Sequence, residues 1–372
     1  MLSVQKGESE MLNKVEKLLS EKTFVEREKI DSFDCRFMGS VYTYDIIYTN
    51  QDFHYAKAYL SKPCGGSSIL PIDKDGNVFL EIQYRFPIRQ AILELPAGRV
   101  DENESYLECA KRELTEETGC VSQEIAEQIG FYAQPEFSDE WLASYSALNC
   151  KQTEKQHLDS DENVKVYPVP FEVALDLVKK GVIIDERTII GLGICRCIQG
   201  LRFPEDLEKK EEYCRKIKED IIEEGKRLEE VEVDIDYTEI FEFGIVQDHI
   251  VKIPGDKNSR RECFYVKAGE LVIPVSKEGK IGLKIAYMPA VDKKLLQLPE
   301  KIEFAPESAF ETFGEIVTAV GYANDRQALF VLEGLEESSD YLWFSEEEIL
   351  TLIKEKKIED GRVLAALLKY LI

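Results

Sequence analysis

The sequence predicts an α+β protein in which one mixed-sheet fold is used twice along the chain. Three observations predict it. Two blocks of sequence recur in the same order. Within each block, β-branched apolar runs alternate with segments of helical period. One acidic helix of fixed pattern sits in the first repeat and finds no acidic counterpart in the second.

The repeats are specific. SSILPIDKDGNVFLEIQY (67–84) falls on ELVIPVSKEGKIGLKIAY (270–287), so Pro71 meets Pro274 and Gly76 meets Gly279, 203 residues on. LELP from Leu93 then meets LQLP from Leu296. A second block, FEVALDLVKKGVIIDERTIIGL from Phe171, falls on EEEILTLIKEKKIEDGRVLAAL from Glu346, 175 residues on. The spacing has therefore shortened by about one helix between the blocks. Self-similarity at fixed order reads as a duplicated fold.

The elements follow in chain order. Residues 1–33 read as an N-terminal helical extension, amphipathic around Met11 to Leu19. Residues 34–200 form the first fold. There SSILPID and VFLEIQYR, joined by DKDGN, read as a hairpin. Phe171 to Gly181 has helical periodicity and a closing glycine. Residues 201–236 read as a charged helical linker: Pro204 suits a helix start, and Leu207, Cys214, Ile217, Ile221 and Leu228 form one narrow stripe. Residues 237–372 repeat the first fold.

Composition excludes several classes. The 372 residues carry 47 basic and 72 acidic side chains, a net charge of −25. Such a balance argues against nucleic acid and against an anionic membrane surface. It leaves room for a phosphorylated small molecule held through a divalent cation. No stretch approaches the ~20 apolar residues of a membrane span. The N-terminus has no secretory pattern. The nine cysteines show no C-x-x-C spacing and read as reduced thiols. The expected setting is a soluble, cytoplasmic protein.

The chemistry sits in AGRVDENESYLECAKRELTEETGC, Ala97 to Cys120. Ser105 to Thr118 reads as a helix with Leu107, Ala110 and Leu114 as its buried stripe, closed by Gly119. Glu113 and Glu117 are four apart and share a face, with Glu116 beside them. Packing like charges together is unfavourable unless a cation compensates. Clustered hard carboxylate oxygens suit Mg²⁺, with Mn²⁺ as the alternative. Arg112, on the same helix, is placed to brace them through its guanidinium fork.

Gly98, Glu104, Arg112-Glu113-Leu114, Glu116-Glu117 and Gly119 together match the Nudix box, with Cys120 in place of its usual last aliphatic residue. The resemblance implies tandem Nudix folds, each a mixed sheet in an α/β/α sandwich, the second without the box. It implies hydrolysis of a nucleoside diphosphate joined to another group. It implies Glu113, Glu117 and Glu116 as metal ligands, with the Ala97 carbonyl as a further one. The lead-in IQYRFPIRQAILELPAG resembles that of ADP-ribose pyrophosphatases, although Ile82 replaces their Glu. Arg85 and Glu94 become candidate substrate contacts on that likeness. So does Pro135, which stands sixteen residues past Gly119 and is followed by Ser138-Asp139-Glu140. The acidic stretch HLDSDEN then resembles the loop that supplies a ligand and a general base, here Glu162 as ligand and Asp159 or Asp161 as base. His54, His157 and His249 are scattered and read as ordinary histidines.

Carried on at 203, Arg112, Glu113, Glu116 and Glu117 would fall on Glu315, Ile316, Ala319 and Val320, so the second copy reads as catalytically dead. ADP-ribose pyrophosphatases are generally dimers, and the fused copy is expected to act as an intrachain partner; a homo-oligomer stays open. The leading expectation is a metal-dependent ADP-ribose or ADP-sugar pyrophosphatase releasing AMP and a sugar phosphate. The alternatives are a hydrolase of another nucleotide sugar or dinucleotide, and a non-catalytic ADP-ribose sensor. A third reading makes the second copy a docking module, which would require a large exposed apolar patch on it.

Overall fold

The computed structural model describes residues 2–20, 32–38, 42–48, 54–60, 65–153, 156–157, 164–204, 207–229, 232–241, 244–252, 259–288, 290–305 and 308–372. A helix, Leu2–Ser20, precedes a three-stranded antiparallel sheet of β1 (Ser32–Met38), β2 (Tyr42–Tyr48) and β3 (His54–Leu60). The main sheet of the first copy comprises β4 (Gly66–Asp73), β5 (Asn77–Arg85), β6 (Gln90–Glu94), β7 (Ala97–Arg99), β8 (Cys120–Val121), β9 (Glu124–Tyr132), β10 (Trp141–Gln152) and β11 (Lys165–Pro170). Its central order is β11-β5-β4-β10-β8, and only the β4–β10 pair is parallel.

Strand β4 is buried on both faces, which explains its unbroken apolar run. Ile69, with Phe79, Ala143 and Tyr145, faces the helix Tyr106–Thr118. Leu70 and Ile72 face the opposite core, which includes residues of the helices Phe171–Lys179 and Glu186–Gly193. The result is a sheet between two helical layers. The β4–β5 turn is tied by Asp73 Oδ1, which accepts from the Asp75 and Asn77 N–H groups, and Gly76 takes φ +82°.

The helix Leu207–Glu229 links the copies and buries Cys214 and Ile217. A second three-stranded sheet follows, β12 (Glu232–Phe241), β13 (Gly244–Lys252) and β14 (Ser259–Val266). It begins five residues before the 237 boundary read from sequence. Then come β15 (Gly269–Ser276), β16 (Ile281–Met288), β17 (Lys293–Gln297), β18 (Glu311–Val317), β19 (Arg326–Leu335) and β20 (Leu342–Phe344), with helices Glu346–Lys354 and Gly361–Leu371.

The duplication is visible in the registers. Leu142 pairs Gly66 where Gln327 pairs Gly269, and Glu81 pairs Glu94 where Lys284 pairs Gln297. Trp141 pairs Tyr132 where Arg326 pairs Val317. The offset is thus 203 through β17 (Glu94 to Gln297), 185 in β18 and β19 (Tyr132 to Val317) and 175 in the last helices (Asp185 to Asp360). The 28-residue shortening is therefore two deletions, of 18 and of 10. The first removes the acidic helix; among the described residues, a 3₁₀ turn at Lys301–Glu303 is the only helix between β17 and β18. The second falls between β10 and β11, across the acidic stretch.

This corrects the sequence mapping. Ile316, Ala319 and Val320 correspond to Phe131, Gln134 and Pro135 rather than to Glu113, Glu116 and Glu117, and Glu315 corresponds to Gly130 rather than to Arg112. The box helix has lost its place in the second copy rather than its acids.

The two copies share one core. Helices Glu186–Gly193 and Gly361–Leu371, equivalent by the offset of 175, pack on each other. Around them the contacts are reciprocal. The Tyr132 N–H donates to the Glu359 carbonyl and the Val317 N–H to the Ile184 carbonyl, each at 2.8 Å. Such matched pairs are the signature of a two-fold interface, here within one chain. The first helix joins this assembly with Val15 buried and Glu16 paired with Lys357. No described helix is long and apolar enough to cross a membrane.

Candidate active site

The box helix runs from Tyr106 to Thr118. Ser105 caps it reciprocally: its hydroxyl accepts from the Glu108 N–H, and the Glu108 carboxylate accepts from the Ser105 N–H. Gly119, at φ 67°, ends it in a left-handed cap. The buried stripe is Cys109, Ala110, Glu113, Leu114, Glu117 and Thr118, while Leu107 is 37% exposed. Sequence periodicity placed Leu107 inward. Two glutamates take the inward positions instead, and Leu107 sits at the first turn, off the sheet.

Burying Glu113 and Glu117 requires compensation. The Ala97 N–H donates to Glu117 Oε2 at 2.9 Å. Glu113 lies against Gly98 so closely that a Cβ there would meet its Oε1 at 1.8 Å. Glycine is therefore required by contact with the carboxylate. Arg112 donates through Nη1 to Glu113 Oε1 at 2.6 Å and to Glu116 Oε2 at 3.0 Å. Its Nε and Nη2 fork onto Glu104 at 2.9 and 3.1 Å, and Nη2 also reaches the Arg99 carbonyl at 2.9 Å. The Arg112 guanidinium holds the Glu104 carboxyl below its ordinary range. Glu104, a motif position without an assigned role in the sequence reading, thus anchors Arg112.

Ala97, Arg112, Glu113, Glu116 and Glu117 come together at one end of the sheet. Their donor set is carboxylate and backbone oxygen, which fits a hard divalent cation. Among the described residues no three Asp, Glu, His or Cys side chains converge into a closed ligand group. The counter-charge comes instead from Arg112, together with the Ala97 N–H.

Asp159, Asp161 and Glu162 lie outside the described residues. The chain leading to them is fixed to the box helix. The Gln156 side chain donates to the Glu117 carbonyl at 2.6 Å, and the His157 N–H donates to the Glu116 carbonyl at 2.8 Å.

Arg85 and Glu94 form a second group. Arg85 Nε donates to Glu94 Oε1 at 2.8 Å, and Arg187 pairs with Glu94 Oε2 and with Asp185 Oδ1, the latter at 3.1 Å. Glu94 is fully buried, and burial raises its carboxyl pKa against the pull of both arginines. Arg187 escaped the sequence reading. Its signal was in the repeat, since Arg362 stands 175 residues on and donates to Asp360 and to Gln297, the counterpart of Glu94. Pro135 is buried in a turn closed by the Phe137 and Ser138 N–H groups on the Gln134 carbonyl.

The second copy reaches this turn. The Gln134 side chain donates to Asp325, Glu136 pairs with Arg362 at 2.7 Å, and Tyr322 Oη lies 3.0 Å from Ser138 Oγ. Gln90, beside the Arg85 loop, accepts from Arg326 at 2.8 Å.

A mixed sheet with this helix and these carboxylates defines a class, and comparison with known proteins agrees. The NUDIX domain family model matches residues 63–189. The chain belongs to the Nudix family and is a Nudix hydrolase. It is 34% identical over 134 residues to an ADP-ribose pyrophosphatase of Bacillus subtilis (strain 168), spanning 36% of this chain and 72% of that protein. It is 31% identical over 147 residues to the methanol dehydrogenase activator of Bacillus methanolicus, spanning 39% and 76%. It is 29% identical over 160 residues to a GDP-mannose pyrophosphatase of Yersinia enterocolitica, spanning 40% and 82%. The family match ends before the second copy.

Proposed function

We propose that the first copy hydrolyses ADP-ribose or a related ADP-sugar to AMP and a sugar phosphate, with Mg²⁺ or Mn²⁺ bound at the box. The observation that supports this most is the seating of Glu113 against Gly98 and of Glu117 against the Ala97 N–H. That packing puts two buried carboxylates of one helix face beside the Ala97 backbone. Glu113, Glu116 and Glu117, the Ala97 carbonyl and Glu162 would hold the cation, which would supply charge neutralisation at the diphosphate and a more acidic water. Asp159 or Asp161 would take that water's proton. Arg112 holds Glu113 and Glu116 in register. Arg85, oriented by Glu94, would meet the substrate, and Pro135 would shape the wall opposite.

The second copy would complete the pocket as a partner subunit does. Its contacts with the turn 134–138 and with Gln90 support that role. The likeness to GDP-mannose pyrophosphatases favours one second reading, a different nucleotide sugar. A panel of ADP-ribose, ADP-glucose, GDP-mannose and a dinucleotide with Mg²⁺, assayed for nucleoside monophosphate release, decides between them. Turnover of GDP-mannose alone would overturn the ADP-ribose reading.

A further inference from the structure

The second copy grips the first through two adjacent residues at the start of β19. Asp325 is buried and accepts from the Gln134 side chain of the turn 134–138. Arg326 Nη2 donates to Gln90 Oε1 at 2.8 Å. Gln90 is the cross-strand partner of Arg85, whose Nε donates to Glu94. One dipeptide therefore touches both segments that carry the candidate substrate contacts Pro135 and Arg85.

The dipeptide is fixed within its own copy. Asp325 also accepts from Thr318 Oγ1 and, at 2.6 Å, from Gln327 Nε2. Arg326 Nη1 donates to Glu315 Oε1 at 2.8 Å. The preceding Asn324 side chain accepts from the Val266 N–H at 2.8 Å, which ties the dipeptide to the end of β14. β14 itself packs on the 3₁₀ turn Phe86–Ile88, and Val317 and Val320 share a buried apolar cluster with Ile88, Ile92 and Ile184. Side chains already held by their own copy lose little further freedom in meeting the other.

The grip runs one way. The counterparts of Asp325 and Arg326 in the first copy are Glu140 and Trp141, and the counterparts of Gln134 and Gln90 in the second are Ala319 and Lys293. Ala319 carries no side-chain donor, and indole and ammonium are both donors only, so neither bond can form in reverse. Trp141 meets Tyr132 edge-on at 4.7 Å instead, and Lys293 lies over the same ring and pairs with Glu359 at 2.9 Å. Packing the copies together needs no such asymmetry. Polar bonds directed only at the copy that carries the box mark a contribution to its site.

We propose that Asp325 and Arg326 are positioning residues that hold the turn 134–138 and the Arg85–Gln90 pair at a fixed separation, as two sides of the substrate cleft of the first copy. This rests on the first copy being the hydrolase and on Arg85 and Pro135 facing its substrate. The box carboxylates are held separately, by Arg112 and the Ala97 N–H. The clamp therefore acts on substrate binding rather than on the chemical step.

The test is steady-state kinetics of the full chain with Mg²⁺ and ADP-ribose, or GDP-mannose where that is the nucleotide turned over, alongside thermal melts. The variants are Arg326→Ala, Gln90→Ala, their double variant and Gln134→Leu. Arg326 is partly exposed, so its truncation spares the core. Arg326→Ala and Gln134→Leu should each raise KM about 3-fold to 10-fold, with kcat within about two-fold of the native value. The Arg326→Ala and Gln90→Ala effects should not add in the double variant. An unchanged KM in Arg326→Ala, a loss confined to kcat, or additive effects would overturn the proposal. Hydrogen–deuterium exchange of segments 86–90 and 134–138 reads the clamp without substrate. Arg326→Ala should speed exchange in the first segment and Gln134→Leu in the second, with the melts unchanged. Unmoved exchange overturns the proposal whichever nucleotide is turned over. Faster exchange without ADP-ribose turnover faults the substrate assignment alone and leaves the clamp in place.

Discussion

Gly193 and Leu368 meet where the two central helices cross, and a Cβ on Gly193 would lie 2.7 Å from the Leu368 Cβ. No side chain fits there, because two helices at this separation leave no space between backbones. Gly193→Val should cost about 1–3 kcal/mol by overpacking. Urea denaturation monitored by circular dichroism would show it as a lower midpoint. An unchanged midpoint would mean that the copies pack differently.

Arg362 is nearly fully buried and ties Asp360 to Gln297 and to Glu136 of the other copy. Truncation to alanine leaves the buried Asp360 carboxylate without its cation. The expected loss is about 3–5 kcal/mol, read from the same denaturation curves. A double-mutant cycle with Glu136→Ala should show weak coupling of about 0.2–1 kcal/mol, since the Glu136 end is exposed.

Lys369 illustrates a cost built into the interface. Its side chain is 3% exposed, and its ammonium donates to the Val178 carbonyl at 2.6 Å beside the Phe313 ring. Burial lowers its pKa to about 8. The unfolded chain, with a lysine near 10.4, binds more protons between those values, so this residue makes stability rise with pH from about 8 to about 10. Below about 8 its penalty is constant and complete. Lys369→Met should therefore stabilise the protein at pH 7 by about 1–3 kcal/mol, and the gain should shrink as pH rises past 8. A gain independent of pH would point to packing rather than charge.

The sequence carried the duplicated fold because register leaves a trace: the turn glycines Gly76 and Gly279 and the Leu-Pro pairs ending at Pro96 and Pro299 recur at one spacing. It carried the box because a helix that buries Glu113 against Gly98 and Glu117 against the Ala97 N–H tolerates few residues there. It misplaced Leu107, because periodicity assigns apolar residues inward and cannot know that carboxylates occupy the inner face. It misaligned the second copy at Glu315 and beyond, because a deletion ahead of β18 is invisible to a fixed offset. Arg187 was missed, since its role arises from contacts between elements far apart in the chain.

Arg112 gathers Glu104, Glu113 and Glu116 with five donors in one plane, a geometry lysine cannot reproduce. Arg112→Lys should lower kcat by about 10-fold or more while the melt changes little. Its cost in transition-state terms would be about 1.4 kcal/mol or more. Steady-state kinetics at saturating Mg²⁺ would reveal it, and full activity in the lysine variant would assign the fork a structural role alone.

The central claim is that the carboxylates of the first copy's box carry a metal-dependent hydrolysis. The most direct measurement is AMP release from ADP-ribose by the full chain with Mg²⁺, with EDTA, and as Glu117→Gln. The account predicts turnover with Mg²⁺, none with EDTA, and a loss of about 10²-fold or more in Glu117→Gln. Normal turnover by Glu117→Gln would contradict it.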